Sequence, residues 1–357
     1  MSATALSPRK RVQMALAHQE PDCIPIHDSP WSATVTRWHG EGLPDFVPVD
    51  EYFGYHLRGF GADTSPMYPV RVIERTPEYI VETTNTGGIR RNHRDYSTTP
   101  ELIDYGIKTR EDWEAAKRRL QPSVTRVDWV SLKYGYDRAR ADDLFVTYSA
   151  VTGYDACQSY IRSDVLLPLL LTDPDWIRDM VETIADMVIE MARILMREGY
   201  QFDAAFLYND MGYRKAPFFS PRVYRELIKP ADKRMFDFFH SHGMPVILHS
   251  CGNVAPLIPD LLDAGLDCLQ PLEVKAGMDL VSLKREYGKD LSFMGGIDVR
   301  AMADPDPSAI EREIAAKIPV AMKGGGYIYH SDHSIPNNVS FAQYCRTLEL
   351  VRRYGQY

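Results

Sequence analysis

From Pro174 to the C-terminus the chain alternates helical and extended segments without a break. This alternation restricts the fold more than any other feature. Trp176, Ile177, Met180, Val181, Ile184, Met187, Val188, Met191 and Leu195 recur near helical spacing and predict a helix from Pro174 to about Gly199. A strand follows at Ala204–Tyr208. Ser220-Pro221 then reads as an N-cap with proline in the first turn, opening a helix that Gly243 stops. The next strand carries Val246 to Cys251. Strands at Cys268–Glu273, Leu291–Met294 and Tyr327–His330 follow, separated by helices near 254–264, 280–287 and 307–322. A last helix spans 341–354. Such alternation predicts a parallel sheet. Upstream, Cys23–His27 and Leu144–Ala150 fit as further strands, which makes seven candidates and leaves an eighth open. The repeated unit and the length favour an α/β (β/α)8 TIM-like barrel. No Gly-x-Gly-x-x-Gly follows an early strand, which disfavours an open dinucleotide-binding sheet.

Residues 67–120 break the pattern. Val70–Glu74, Tyr79–Thr84 and Gly88–Arg94 read as a small antiparallel ribbon with Asn85-Thr86-Gly87 as a turn, and 98–120 reads as helical. The segment is expected to be an insertion between the first two strands, lying over the barrel mouth of a single domain, 1–357. The net charge of −8 argues against a nucleic-acid or polybasic membrane surface. No apolar run reaches the length of a membrane span, and the N-terminus reads as a helix and not a signal peptide. The five cysteines are odd in number and widely spread. Reduced thiols and a cytoplasmic location are expected.

In barrels of this kind catalytic groups sit at the C-terminal strand ends. Those ends carry His27-Asp28, Tyr148-Ser149, Asn209-Asp210, His249 with Cys251, Glu273, Asp298, and His330 with Asp332 and His333. Residues two apart on a strand share a face, so His249 and Cys251 aim an imidazole and a thiol at one point, donors that zinc prefers. A third ligand is needed, and both His330 and His333 are candidates. Cys268 begins its strand and is expected to be structural, at the opposite end of the barrel. Asp210, Glu273 and Asp298 are the candidate acid–base groups. Each has a plainer reading: Asp210 or Asp298 as a helix N-cap, Glu273 as a surface acid paired with Lys275. Trp31, Trp38, Tyr148 and Tyr154 lie near the expected mouth, as pocket aromatics or as rim packing. Asp28, Trp31, Tyr148, Tyr154 and Asn209 are the candidate substrate contacts.

The segments 11–26, Tyr208-Asn209-Asp210 followed by Ser220-Pro221-Arg222-Val223-Tyr224, His249-Ser250-Cys251-Gly252-Asn253, Gln270-Pro271-Leu272-Glu273 and Gly295-Gly296-Ile297-Asp298 together resemble the uroporphyrinogen decarboxylase superfamily. One branch of it decarboxylates uroporphyrinogen without a cofactor, and the other contains zinc methyltransferases that work with corrinoid proteins. The decarboxylases carry an Arg-Gln-Ala-Gly-Arg element after the first strand. Here residues 28–38 keep only Arg37, a poor receptor for a polyanion. His-x-Cys-Gly resembles the zinc motif of the methyltransferase branch, and at its second-Cys position this chain has His333 within 328–336. The resemblance therefore implies a zinc site of His249, Cys251 and His333. A Cys-His-His set keeps one unit of positive charge, unless Glu273 or Asp298 also binds, and this favours polarising a leaving heteroatom over activating a thiol. Asp210 is then a general acid, or a partner that orients a ligating histidine. The resemblance implies a methyltransferase that moves a methyl group from a methyl ether or methylamine to a corrinoid (cobalamin) carried by a partner protein, and a homodimer. The alternatives are a cofactor-free carboxy-lyase with Asp210 or Asp28 placing a proton, a non-catalytic binding barrel, and another metal-assisted reaction such as hydrolysis.

Overall fold

The computed structural model describes residues 5–94 and 99–357. Strand β1 (Leu57–Phe60) leads into an antiparallel sheet of β2 (Val72–Arg75), β3 (Tyr79–Thr83), β4 (Ile89–His93) and β5 (Glu101–Asp104). The chain then returns through β6 (Phe145–Val151), β7 (Ala204–Tyr208), β8 (Val246–His249), β9 (Cys268–Gln270), β10 (Ser292–Met294) and β11 (Tyr327–Ile328). β1 and β6 to β11 form one curled, seven-stranded parallel sheet in chain order. Its two edges meet at Ile26. Ile26 bridges Tyr329 in parallel, and the His56 amide donates to the Ile26 carbonyl at 2.8 Å. The fold is TIM-like, as the alternation predicts.

Two sequence expectations need correction. Cys23–His27 makes only isolated bridges, because Pro25 has no N–H to give to a ladder. The regular strand before β6 is instead β1. Leu57-Arg58-Gly59-Phe60 carries neither an apolar run nor strict alternation, so it is not visible as a strand in the sequence. The insertion therefore follows β1, and part of the segment expected to be helical is β5. Pairing of Ile89 and Arg90 with Asp104 and Leu102 overrides its local preference. Thr98 lies outside the described residues. A helix does form at Arg110–Lys117, opened by a Thr109 capping box.

Two apolar shells hold the barrel. The helix Pro8–Leu16 places Val12, Ala15 and Leu16 against Leu57, Phe145, Ala204, Ile247 and Cys268 inside the sheet. Cys268 is thus part of the interior packing, remote from the strand ends that carry His249 and Cys251. Outside, the helix Pro174–Arg197 buries Trp176, Ile177, Met180, Val181 and Ile184 along one stripe. Each such side chain contributes roughly 1.5–3 kcal/mol of burial. Among the described residues no helix is long and apolar enough to cross a membrane.

Candidate metal and catalytic site

Strand alternation decides which side chains reach the mouth. On β8, Ile247 faces the barrel interior with the Pro8–Leu16 helix, so His249 two residues on also faces inward, at the C-terminal end. The β8 loop is stitched to the β7 loop. The Asn209 amide donates to the His249 carbonyl at 2.9 Å, the Met211 amide to Ser250 Oγ at 3.0 Å, and the Asn253 amide to the Tyr213 carbonyl at 2.8 Å. The loops touch closely at Gly212 and Gly252. A Cβ on Gly212 would lie 2.3 Å from the Cys251 carbonyl oxygen, and Gly252 has φ +76°.

These contacts gather Asp210, His249 and Cys251. One donor atom from each lies within 4.8 Å of the other two. His249 Nε2 is 3.4 Å from Cys251 Sγ and 3.4 Å from Asp210 Oδ1. Ligands around tetrahedral zinc, at about 2.0–2.3 Å from the metal, sit roughly 3.4–3.8 Å apart. The separations of His249 Nε2 from the other two donors match the spacing of neighbouring corners of such a site. The family resemblance assigns the third corner to His333. His333 is not in this triplet, although it faces Cys251, whose thiol raises the His333 pKa. A set of Asp210, His249 and Cys251 would be formally neutral, whereas a Cys-His-His set would keep one unit of positive charge.

The surroundings hold His249 ready to ligate. His330 is buried, and its Nδ1 lies 2.6 Å from the Ser331 carbonyl, so that nitrogen carries the proton. His330 Nε2 then accepts from Gln270 Nε2 at 3.4 Å, which turns Gln270 Oε1 toward His249 Nδ1. His249 Nδ1–H donates to that oxygen, and Nε2 faces Asp210 and Cys251. His330 is thus a support and not a member of the cluster. Burial pulls the His249 pKa down, but Asp210 and Cys251 beside it raise it well above its usual value. Burial pushes Asp210 up, yet His249 and the Cys251 amide, 2.7 Å from Oδ1, hold it below the usual carboxylate range. An ionised Asp210 does not suit the role of general acid.

Asp155 is a neighbour that sequence reasoning missed. It lies in the first turn of the helix Gly153–Tyr160, where its amide donates to Asn209 Oδ1 at 3.2 Å. Burial, and then the nearby Asp210 carboxylate, push its pKa up to about 7. Its only sequence signal is an acid soon after the β6 end. Gln270 has a clearer signal, as the inward residue beside His249 on the next strand.

The remaining candidates take other roles. Glu273 accepts from the Gly252 amide at 2.6 Å and pairs with Lys275 at 2.9 Å, so it buttresses the Cys251 loop. Asp298 caps the short helix Val299–Met302 after β10 by accepting from the Arg300 amide, and pairs with the Arg300 guanidinium. It stands apart from the cluster. Asp332 accepts from the Val274 and Val299 amides, both at 2.9 Å. Asp28 is buried and accepts from Tyr329, Tyr344 and Ser331, which leaves it no oxygen for a substrate. Asn209 is buried as a loop tie. Tyr148 points outward between β6 and the helical shell, where its hydroxyl donates to the Val188 carbonyl at 3.0 Å. Tyr154 is buried against Phe218 and Phe219, and Trp38 against Tyr344. Only Trp31 of these aromatics stays at the rim, stacked on His333 at 6.5 Å. Arg37 pairs with Glu41.

Two hollows adjoin the cluster. One of about 460 Å³ lies over β1, β6 and β7, lined by Asp63, Thr64, Ser149, Tyr208 and the insertion turn Asn85-Thr86. The Tyr208 ring is 5.1 Å from that of His249. The other, of about 740 Å³, opens at Cys251 and Glu273 beneath Tyr213, Arg214, Lys215 and Lys275.

The comparisons agree with this architecture. A methyltransferase from Methanosarcina mazei superposes with a TM-score of 0.68 at 15% identity, covering 98% of both chains, which shows a shared fold. A methylated-thiol–coenzyme M methyltransferase of Methanosarcina mazei is 26% identical over 131 residues, 36% of this chain and 32% of that protein, so the match spans about a third of that relative. Residues 157–354, which carry the strands of Asp210, His249 and Cys251, match the family described as uroporphyrinogen decarboxylase (URO-D), and the chain belongs to that family.

Proposed function

We propose that this protein is a zinc-dependent methyltransferase that takes a methyl group from a small methylated ether or amine and delivers it to a corrinoid carried by another protein. The observation that carries this reading is the spacing of His249 from Asp210 and Cys251, which matches neighbouring corners of a tetrahedral metal site at the barrel mouth. The sequence similarity over 131 residues to a methylated-thiol–coenzyme M methyltransferase supports it. Zinc held by Asp210, His249 and Cys251 would supply Lewis-acid chemistry to the donor heteroatom. The chain's own groups do the rest. Gln270 holds the His249 ring, Glu273 holds the Gly252 amide, and the Asp210 carboxylate holds the Cys251 amide. The hollow beside Tyr208 has no cationic side chain in its lining and one carboxylate, Asp63, so it suits an uncharged or cationic donor. The methyl group leaves without its bonding pair, and the heteroatom keeps that pair and takes up a proton. That proton comes from solvent.

Elemental analysis of the purified protein beside Cys251→Ala tests the metal. About one zinc per chain, lost in the variant, is expected of such a three-donor site. Asp210→Ala should lower zinc content more than His333→Ala does. Zinc-loaded protein should then demethylate ether or amine donors with cobalamin as acceptor. A wild type that holds no zinc and takes none up would overturn this reading and favour a cofactor-free carboxy-lyase.

A further inference from the structure

Asp28 is a buried carboxylate that takes no part in the metal cluster. Burying a carboxylate is costly unless donors surround it. Asp28 has five. The Ser29 and Ser331 amides, at 3.0 and 3.4 Å, and Ser331 Oγ face Oδ1. The Tyr329 and Tyr344 hydroxyls donate to Oδ2, both at 3.2 Å. Ser331 Oγ is shared with the His333 carbonyl at 2.5 Å. Amides can only donate, so Oδ1 accepts. Tyr344 gives its proton to Asp28, so the Tyr55 hydroxyl at 2.6 Å donates to Tyr344.

Ser331 carries this order into the barrel interior. Its amide and Oγ are held by Asp28, and its carbonyl meets His330 Nδ1 at 2.6 Å. Asp28 Oδ1 itself lies 3.7 Å from the same nitrogen. Two oxygens facing Nδ1 exclude the tautomer with a lone pair there. His330 Nε2 is therefore the acceptor, and Ser29 Oγ at 3.3 Å and Gln270 Nε2 at 3.4 Å donate to it. The Gln270 amide then has one orientation, with Oε1 on His249 Nδ1.

We propose that Asp28 is a positioning residue for the metal cluster, which acts through Ser331, His330 and Gln270 to leave Nε2 of His249 as the nitrogen free for a metal. The link to zinc rests on the proposed function, whereas the order of hydrogen bonds does not.

The test combines nitrogen NMR of the histidine rings with zinc affinity by chelator competition, on the whole protein. Burial holds the His330 pKa below its ordinary value, so under mildly alkaline conditions the ring is neutral and its tautomer is defined. In metal-free wild type, His330, assigned by the signals lost in His330→Phe, should carry its proton on Nδ1 alone. Asp28→Asn keeps an oxygen toward Ser331 and should preserve that state, whereas Asp28→Ala should give a mixture of tautomers. Asp28→Ala should also weaken zinc binding about 10–100-fold, and Asp28→Asn should not. In a His330→Phe background Asp28→Ala should have no further effect on zinc. A wild-type His330 protonated on Nε2 overturns the proposal without any variant. So does an equal loss of zinc affinity on Asp28→Ala in both backgrounds, which would make Asp28 a support of the fold alone. A wild type that takes up no zinc defeats the metal reading, and the His330 tautomers in wild type, Asp28→Asn and Asp28→Ala still decide the order of hydrogen bonds.

Discussion

The chemistry of individual side chains here is set by their neighbours. His249 is an ordinary imidazole until Gln270 takes its Nδ1 proton into a hydrogen bond and leaves Nε2 toward Asp210 and Cys251. Gln270→Ala should therefore weaken zinc binding about 10–100-fold in a chelator competition while leaving the fold intact. Asp232 shows the same dependence away from the site. Buried on the helix Lys229–Ser241 with only the Tyr224 hydroxyl on Oδ2, its pKa is pushed up to about 7 by burial. Its folded pKa lies above its unfolded value, so the native state binds the proton more tightly. Stability is then lost as pH rises from about 4 to about 7. Asp232→Asn keeps a Tyr224 acceptor and cannot ionise. Thermal melts of the variant should lack the part of that decline that wild type shows, and identical pH profiles would remove Asp232 as its cause.

At the scale of elements, the site depends on two loops pressed backbone to backbone. The β7 loop supplies Asp210, the β8 loop supplies Cys251, and Gly212 and Gly252 allow them to touch. Gly212→Ala would drive a methyl group into the Cys251 carbonyl. It should cost about 1–3 kcal/mol or more in denaturant titrations and lower zinc content, even though no ligand is changed. Alternation along β6 is equally decisive. It sends Phe145 into the barrel and Tyr148 into the outer shell, so the tyrosine expected at the mouth never reaches it.

For the whole molecule, a metal that binds only the folded chain adds to its stability by mass action, about 2.7 kcal/mol at a hundredfold excess over Kd. Chelator treatment should lower the melting temperature of wild type and leave that of Cys251→Ala unmoved. Equal shifts in both would mean the metal sits elsewhere. The sequence by itself determined the parallel strand–helix order, the helix boundaries at Ser220-Pro221 and 341–354, and the pairing of His249 with Cys251. These depend on local spacing and capping, and for His249 and Cys251 on a separation of two residues that runs past the end of β8 at His249, not along the strand as expected, all of it written in neighbouring residues. Only the tertiary structure decided that β1 is a regular strand, that β5 is not a helix, and that Ile26 joins the two sheet edges. It likewise brought Asp210 beside His249 and Cys251, turned Glu273 and Asp28 into supports, and set Asp155 beside the cluster. The physical reason is the same in each case. Which loop meets which across the barrel mouth is fixed by sheet closure and by close backbone contacts between segments distant in the chain, and no local pattern encodes those distances.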